Sequence, residues 1–98
     1  MDVEDIAHTI ERFVRSHFSV SPRDPRFGPT ARLFDDGYVD SMGVAELIAF
    51  IEDAFGVAVP DEALMSDEFA TIAGMARVVA GLRGASAARE RVAAGGEP

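Results

Sequence analysis

The feature that most limits the fold of this chain is a stripe of apolar residues at helical spacing in its middle. The stripe consists of Val44, Leu47, Ile48, Ile51 and Phe55. These positions are three or four residues apart, so an α-helix places their side chains on one face. Asp40 and Ser41 precede the stripe and are both good N-cap residues, while Gly56 follows it and is a typical helix-ending residue. The pattern therefore predicts a helix from Ser41 to Phe55.

Two further stripes with the same spacing predict a first and a last helix. The first stripe is Val3, Ile6, Ala7, Ile10, Phe13, Val14 and Phe18, and the last is Ile72, Met75, Ala76, Val79 and Leu82. The first helix is predicted from Val3 to His17, with Asp2 as its N-cap. Thr71 is predicted to cap the last helix, and Gly81 and Gly84 indicate its end, with an extension of one or two turns before Gly95-Gly96 as the alternative.

The segments between these helices favour loops and short elements. Ser19 to Arg32 is predicted to be a long loop, because its prolines and glycine interrupt any helix. After the second helix, a polar turn at Asp61 to Leu64 and a short third helix are predicted, the latter capped by Ser66 and burying Phe69. The fold class is therefore all-α: a small four-helix bundle of three long helices and one short one, with a long first loop. Residues 1–84 should form one domain, and residues 85–98 a flexible C-terminal tail.

Charge limits the kind of partner that the chain can bind. The net charge is −8, and the stretch from Leu33 to Met75 contains ten Asp or Glu residues and no Lys or Arg. Such a surface repels the phosphates of nucleic acids and attracts basic proteins. We therefore expect protein partners and no nucleic acid.

The remaining composition argues against several other classes. There is no cysteine, no apolar run long enough to cross a membrane, and no basic region of a secretory signal at the N-terminus. We expect a cytoplasmic protein with no membrane partner. His8 and His17 have no convergent partners in the sequence, and the carboxylates after Pro60 lack the spacing of a calcium loop. No metal site and no catalytic residue are predicted.

Ser41 is the residue on which a function could depend. A hydroxyl at a helix start lies beside unpaired backbone N–H groups and the positive end of the helix dipole, which stabilise a nearby anion by about 0.3–1 kcal/mol. It is therefore an apt anchor for a phosphodiester. Alternatively, Asp40 and Ser41 do no more than cap the helix. The residues alone leave both readings open.

The run from Leu33 to Leu64 resembles the acyl carrier protein and peptidyl carrier protein family. Asp40-Ser41-Met42 is similar to the Asp-Ser-Leu attachment motif of that family, with Met in the place of Leu. Glu46-Leu47 and Glu52 to Gly56 are similar to its acidic second helix, and Val59-Pro60-Asp61 to the turn that follows. The resemblance extends closely to Leu82 and more loosely to the first helix.

The resemblance implies that a phosphopantetheinyl transferase esterifies Ser41 with 4′-phosphopantetheine, and that Asp40 and Met42 flank the attachment site. An acyl or aminoacyl group would then be held as a thioester, loaded by a ligase and passed to downstream enzymes. The implied partner-binding face is Met42, Ala45, Glu46, Ala49, Glu52 and Asp53. The chain would be a free-standing, monomeric carrier and not an enzyme, and we favour a dedicated biosynthetic pathway. The carried group is left open.

Two other functions compete with the carrier. The domain could be an unmodified interaction module that keeps the carrier fold, although the intact Asp40-Ser41-Met42 argues against that. An enzyme ranks last, because no nucleophile, base or phosphate loop is recognisable.

Several side chains have more than one reading. Gly43 costs about 0.5–1 kcal/mol relative to alanine inside a helix; it either leaves room beside Ser41 for the arm or a partner, or is merely tolerated. Phe50 either packs against the third segment or is exposed. Met65 and Met75 are predicted to fill gaps in the core.

Overall fold

A computed structural model of the protein describes residues 2–95, with the side chains of residues 2–84. The helices are α1 (Val3–His17), α2 (Ser41–Phe55), the short α3 (Asp61–Leu64), a 3-10 helix (Asp67–Ala70) and α4 (Ile72–Gly95). Between residues 2 and 95 there is no β-strand. The predicted all-α fold and the bounds of the first two helices are confirmed. The predicted terminal residues are also confirmed: Asp2 caps the start of α1, and Gly56 ends α2 in the left-handed conformation at φ 63°.

The last helix is longer than predicted. Thr71 caps α4 as expected, since its Oγ1 accepts the backbone N–H of Gly74 at 3.0 Å. Gly81 and Gly84 do not end the helix, which continues to Gly95. A glycine in a helix costs only about 1 kcal/mol, and the alanine-rich sequence around it favours the helix. The flexible tail predicted for residues 85–98 stays a prediction: residues 85–95 are helical, and residues 96–98 lie outside the described part of the chain.

The chain between α2 and α4 contains two short helical elements, one at the predicted turn and one at the predicted third helix. The segment Asp61–Leu64, expected to be a turn, is one turn of α-helix, and the segment after Ser66 is a 3-10 helix that buries Phe69 as predicted. Ser66 is not a side-chain cap, since its Oγ accepts no backbone N–H of the 3-10 helix; its hydroxyl donates to the carbonyl of Ala63 at 2.7 Å, within the preceding turn.

The helices enclose one apolar core. Its fully buried members are Ile6, Ile10, Val14, Leu33, Leu47, Ile51, Ile72, Met75, Ala76 and Val79. They come from the predicted stripes, except for Leu33, which the first loop contributes. Met75 fills the core as predicted, but Met65 is 86% exposed and the prediction for it was wrong. Met65 ends a four-residue helix, which is too short to have a stripe that fixes which side chains turn inwards.

The long loop between α1 and α2 is fastened to the rest of the bundle. The N–H of Leu33 donates to the carbonyl of Ala70, and the N–H of Ala73 donates to the carbonyl of Pro29, at 3.0 and 2.8 Å. These bonds tie the loop to the start of α4. They explain how a loop that is unusually long for a compact domain can hold one conformation.

An aromatic cluster anchors the middle of this loop. Phe27 is buried, with the Arg15 guanidinium 4.6 Å from its ring centre and the edge of Tyr38 against it. The Tyr38 hydroxyl donates to the Asp24 carboxylate at 2.8 Å. The loop conformation just before Ser41 therefore depends on contacts between residues far apart in the sequence.

The aromatic residues of α1 lie against α2, which runs antiparallel to it. Phe13 stacks on Phe50, with ring centres 4.1 Å apart, and Phe18 meets the edge of Phe13. Neither reading of Phe50 was correct, because it packs on the first helix and not on the third segment.

At the C-terminal end of α2, Arg83 of α4 donates to the carbonyl of Phe55 at 3.1 Å, which stabilises the negative end of the helix dipole.

Gly43 is required by this packing. A Cβ atom on Gly43 would lie 2.5 Å from Cε1 of Phe18 and 3.1 Å from Cγ1 of Val39. Phe18 fills the space beside Gly43, so this space does not accommodate a prosthetic arm or a partner. The missing side chain lets the first turn of α2 lie directly against the end of α1.

We expect the phenol of Tyr38 to titrate above its ordinary pKa of about 10. Its pKa is raised because the ring is partly removed from water and because the hydroxyl donates to Asp24. The chain has one tyrosine and no tryptophan, so tyrosinate absorbance reports this group alone. Asp24→Asn should lower the midpoint towards the ordinary value, whereas Glu62→Gln on α3 should not. An unchanged midpoint in Asp24→Asn would contradict the hydrogen bond.

The same bond should make unfolding depend on pH at both extremes. Because the pKa of Tyr38 is raised, its contribution is complete below about pH 10 and is lost as the pH rises through the folded value. The pKa of Asp24 is lowered by the backbone N–H of Arg26 and then by Tyr38. Its contribution is therefore present above about pH 4 and is lost as the pH falls through the folded value. Urea unfolding of the parent and of Asp24→Asn at a series of pH values measures both.

We expect Gly43→Ala to destabilise the protein by about 1–3 kcal/mol, because the new methyl group must displace the packed ring of Phe18. Gly81→Ala is the matched control: it lies in α4 with open space around its Cβ position, so the change should stabilise by up to about 1 kcal/mol. Urea unfolding compares the two. If Gly43→Ala stabilises as much as Gly81→Ala, the ring moves aside freely and the packing argument fails.

Candidate functional site

Ser41 is the first residue of α2, and its side chain is exposed. Its hydroxyl makes no hydrogen bond with any residue in the described part of the chain. Asp40 is the residue that caps the helix: its Oδ1 accepts the N–H of Gly43 at 2.7 Å, and its carbonyl accepts the N–H of Val44 at 2.9 Å. The reading in which Ser41 acts as a cap is therefore wrong, and the Ser41 oxygen is available for chemistry.

The surroundings of Ser41 fit a phosphodiester. Within the described residues, the backbone N–H groups of Ser41 and Met42 have no acceptor, as is usual in the first turn of a helix. They can donate to an anion on the Ser41 oxygen, and the helix dipole favours negative charge there. The buried contact between Gly43 and Phe18 fixes the direction of this first turn. An exposed, unbonded hydroxyl thus stands at a rigid helix start.

Two methionines of the described chain are exposed, and one of them is next to Ser41. Met42, next to Ser41, is 81% exposed, and Met65 after α3 is also almost fully exposed. Large apolar side chains in water are the kind of surface that partner proteins cover. The prediction for Met42 fits this placement. Sequence reasoning missed Met65, because its apolar character suggested the core.

The predicted partner face divides into exposed and engaged side chains. Met42, Ala45, Ala49 and Asp53 are exposed, and the Asp53 carboxylate makes no ion pair or hydrogen bond within residues 2–84. Glu46 is exposed too, but its Oε1 lies 3.2 Å from Nε2 of His17 at the end of α1. The sequence gave no sign of this pair, because the two residues are far apart in the chain.

Glu52 departs from its predicted position in solvent. It is half-buried, and its Oε2 accepts the N–H of Val59 at 2.9 Å. The reversal of the chain at Gly56 brings Val59 back beside the last turn of α2. The carboxylate therefore satisfies a backbone donor in the link to α3, and Asp53 is the better exposed acid at this end of the face.

Across the described residues, no group of three or more His, Asp or Glu side chains is placed to hold a metal ion. None of the helices described is both long and apolar enough to span a membrane.

The comparisons with known proteins agree with this geometry. Residues 8–79 match the family PP-binding, described as the phosphopantetheine attachment site. The acyl carrier protein of Zymomonas mobilis is 32% identical over 62 residues, which cover 63% of this chain and 77% of the relative. The acyl carrier protein of Sinorhizobium fredii and acyl carrier protein AcpP of Rhizobium meliloti are each 34% identical over 61 residues, or 62% of this chain and 76% of each relative.

The matched region runs from the middle of α1 to the middle of α4 and so contains the entire site around α2. The resemblance found in the sequence is confirmed by a match to most of the chain. Acyl carrier proteins carry a group for other enzymes and are not themselves enzymes. The chain belongs to the phosphopantetheine attachment family and is a carrier protein whose prosthetic group is 4′-phosphopantetheine.

Proposed function

We propose that 4′-phosphopantetheine is attached to Oγ of Ser41, and that the chain carries acyl or aminoacyl groups as thioesters for enzymes of a dedicated biosynthetic pathway. The observation that carries the attachment site is the Ser41 hydroxyl, which is exposed and unbonded at the start of α2 while Asp40 does the capping. When bound, the group supplies a terminal thiol on a long arm. The protein supplies the position of that arm and the surface that enzymes recognise.

Each neighbour of Ser41 has a definite role in this proposal. Asp40 holds the first turn by its bond to Gly43 and so orients the Ser41 oxygen outwards. The N–H groups of Ser41 and Met42 face the phosphodiester position at the helix end. Phe18, packed on Gly43, keeps α1 behind this turn. In the transfer from coenzyme A, the Ser41 oxygen would displace 3′,5′-adenosine bisphosphate at the transferred phosphorus, and the hydroxyl proton would pass to a base of the transferase, because no described residue of the carrier is hydrogen-bonded to that hydroxyl.

The proposed docking surface is Met42, Ala45, Ala49 and Asp53, with Glu46 at its edge. It offers a small apolar strip beside carboxylates, within a stretch of chain that has no Lys or Arg from Leu33 to Met75. Basic grooves would be attracted to it at long range and would bind it briefly. The partners are a phosphopantetheinyl transferase, a loading ligase and acyl-using enzymes. A carrier must leave each enzyme to reach the next, which favours weak binding.

Replacing Ser41 tests the attachment site. Ser41→Ala, incubated with coenzyme A and a broad-specificity transferase, should gain no mass, whereas the parent and Ser21→Ala should each gain one phosphopantetheinyl group. Since the Ser41 hydroxyl makes no hydrogen bond with any described residue, the free energy of unfolding should change by no more than about 0.5 kcal/mol. Modification of Ser41→Ala would place the group elsewhere. No modification of the parent would favour an unmodified interaction module.

Charge reversal tests the docking surface. Glu46→Lys with Asp53→Lys should lower kcat/KM of the transferase at least fivefold at low salt, and the effect should shrink as salt screens the charges. Glu4→Lys with Asp5→Lys, at the start of α1, changes the net charge equally and serves as the control. Circular dichroism verifies that both variants are folded. Equal slowing in the two double variants would mean that net charge matters and the α2 surface does not.

A further inference from the structure

The last residue of α1 lies at the edge of the proposed docking surface. Nε2 of His17 is 3.2 Å from Oε1 of Glu46, and Glu46 is about 7.5 Å along α2 from Ser41. The side chains of His17 and Glu46 are 40% and 58% exposed, so a protein that contacts the Glu46 carboxylate also meets the imidazole. Nothing in the carrier role described so far uses His17.

Two aromatic neighbours hold the imidazole of His17 in place. It stacks on Phe13 with ring centres 4.8 Å apart and planes within 13° of parallel, and the edge of Phe18 meets it with ring centres 4.9 Å apart. Phe18 in turn packs against Gly43 in the first turn of α2. Most exposed ion pairs are weak because two mobile side chains must be ordered. Here the imidazole is already ordered by its ring contacts before it pairs with Glu46.

The charged groups on the elements around His17 leave Glu46 as its partner. Among the side chains of residues 2–84, no other carboxylate lies within ion-pair distance of this imidazole. On α1, Arg12 is exposed and Arg15 pairs with an acid of its own helix. The loop from Ser19 to Pro22 and the first turn of α2 contain no charged residue. A proton on His17 therefore acts on Glu46 more directly than on any other described acid.

The protonation of His17 changes the charge that this part of the surface offers to a partner. Histidine is the side chain whose charge ordinarily changes between about pH 5 and pH 8. When His17 is neutral, Glu46 presents a full negative charge to a basic protein. When His17 is protonated, the pair has no net charge and the carboxylate is already engaged by a cation. Asp53, the other exposed acid of the surface, has no such partner among residues 2–84.

We infer that His17 is a specificity-determining residue of the docking surface, because it sets the charge with which Glu46 meets basic partner proteins. A partner whose arginine or lysine pairs with Glu46 must compete with protonated His17, so its association weakens as the pH falls. A partner that relies on Asp53 does not meet this competition. The docking surface thus extends from α2 to the end of α1. This inference rests on the proposed function, since it requires that enzymes dock on α2.

Transferase kinetics at a series of pH values test this assignment. The kcat/KM for modification with coenzyme A is measured at low salt from about pH 5.5 to pH 8. Each variant is compared with the parent at the same pH, so that the pH dependence of the transferase itself cancels. His17→Gln keeps a hydrogen-bond donor without the charge, and His17→Phe keeps a ring that can stack on Phe13. Both should be modified at least about twofold faster than the parent at the acidic end and equally fast at the alkaline end.

His8→Gln is the matched control, because His8 is the other histidine of the chain and lies on the same helix. It lines a groove with Ala73 and Arg77 of α4, and about two and a half turns of α1 separate it from His17, which places it on the opposite side of the helix. His8→Gln should match the parent at every pH. In Glu46→Gln, replacement of His17 should have a smaller effect than in the parent, because the pair is already lost. Circular dichroism verifies that every variant is folded.

The outcomes distinguish this inference from the proposed function. If the parent gains no phosphopantetheinyl group at any pH, the attachment at Ser41 fails. If Asp53→Asn lowers kcat/KM but His17→Gln matches the parent at every pH, the docking surface stands and the role of His17 is overturned. Equal acceleration by His17→Gln and His8→Gln would also overturn it, because net charge would then explain the effect. So would an effect of His17→Gln that is undiminished in Glu46→Gln, because His17 would then act without its partner.

Discussion

The short hydrogen bond from the N–H of Gly43 to Asp40 is the interaction on which the rest of the site depends. The Asp40 side chain, which lies just outside the helix, accepts a backbone N–H of the first turn. The next residue, Ser41, is therefore not needed as the N-cap. The same turn then needs a glycine for a second reason, because Phe18 occupies the space beside it. The Asp40 cap and the packing of Phe18 thus both act at Gly43. Together they set the direction of α2 and present a hydroxyl to solvent at its positive end.

The sequence predicts most of this fold because helical periodicity is a local signal. The stripes and caps were sufficient for both bounds of α1 and α2, and for Thr71 as the cap of α4. Gly81 was misread because a glycine with open space around it weakens a helix without ending it. Met65 was misplaced because a helix of four residues has no periodicity that would show its inward side.

The parts of the site that sequence could not supply are contacts between distant segments. Ser41 and Asp40 were found from a local motif. In contrast, the pair of His17 with Glu46, the bond from Val59 to Glu52 and the stack of Phe13 on Phe50 join residues that only the fold brings together. Two carboxylates of α2, those of Glu46 and Glu52, are therefore engaged in contacts with other parts of the bundle. The outward charge of α2 therefore depends on tertiary structure as well as on composition.

The exposure of Met42 has a chemical consequence for the handling of this protein. A thioether in water is open to peroxide, which converts it to a polar sulfoxide, whereas the fully buried Met75 is protected by the core. Oxidation would therefore begin at the two exposed methionines, Met42 and Met65, and at Met42 it would replace an apolar contact surface beside Ser41 with a polar one while the bundle stays folded. The protein would then lose partner recognition before it lost its structure. A preparation oxidised during storage would bind its partners less well, although its circular dichroism spectrum would still be that of the folded helices.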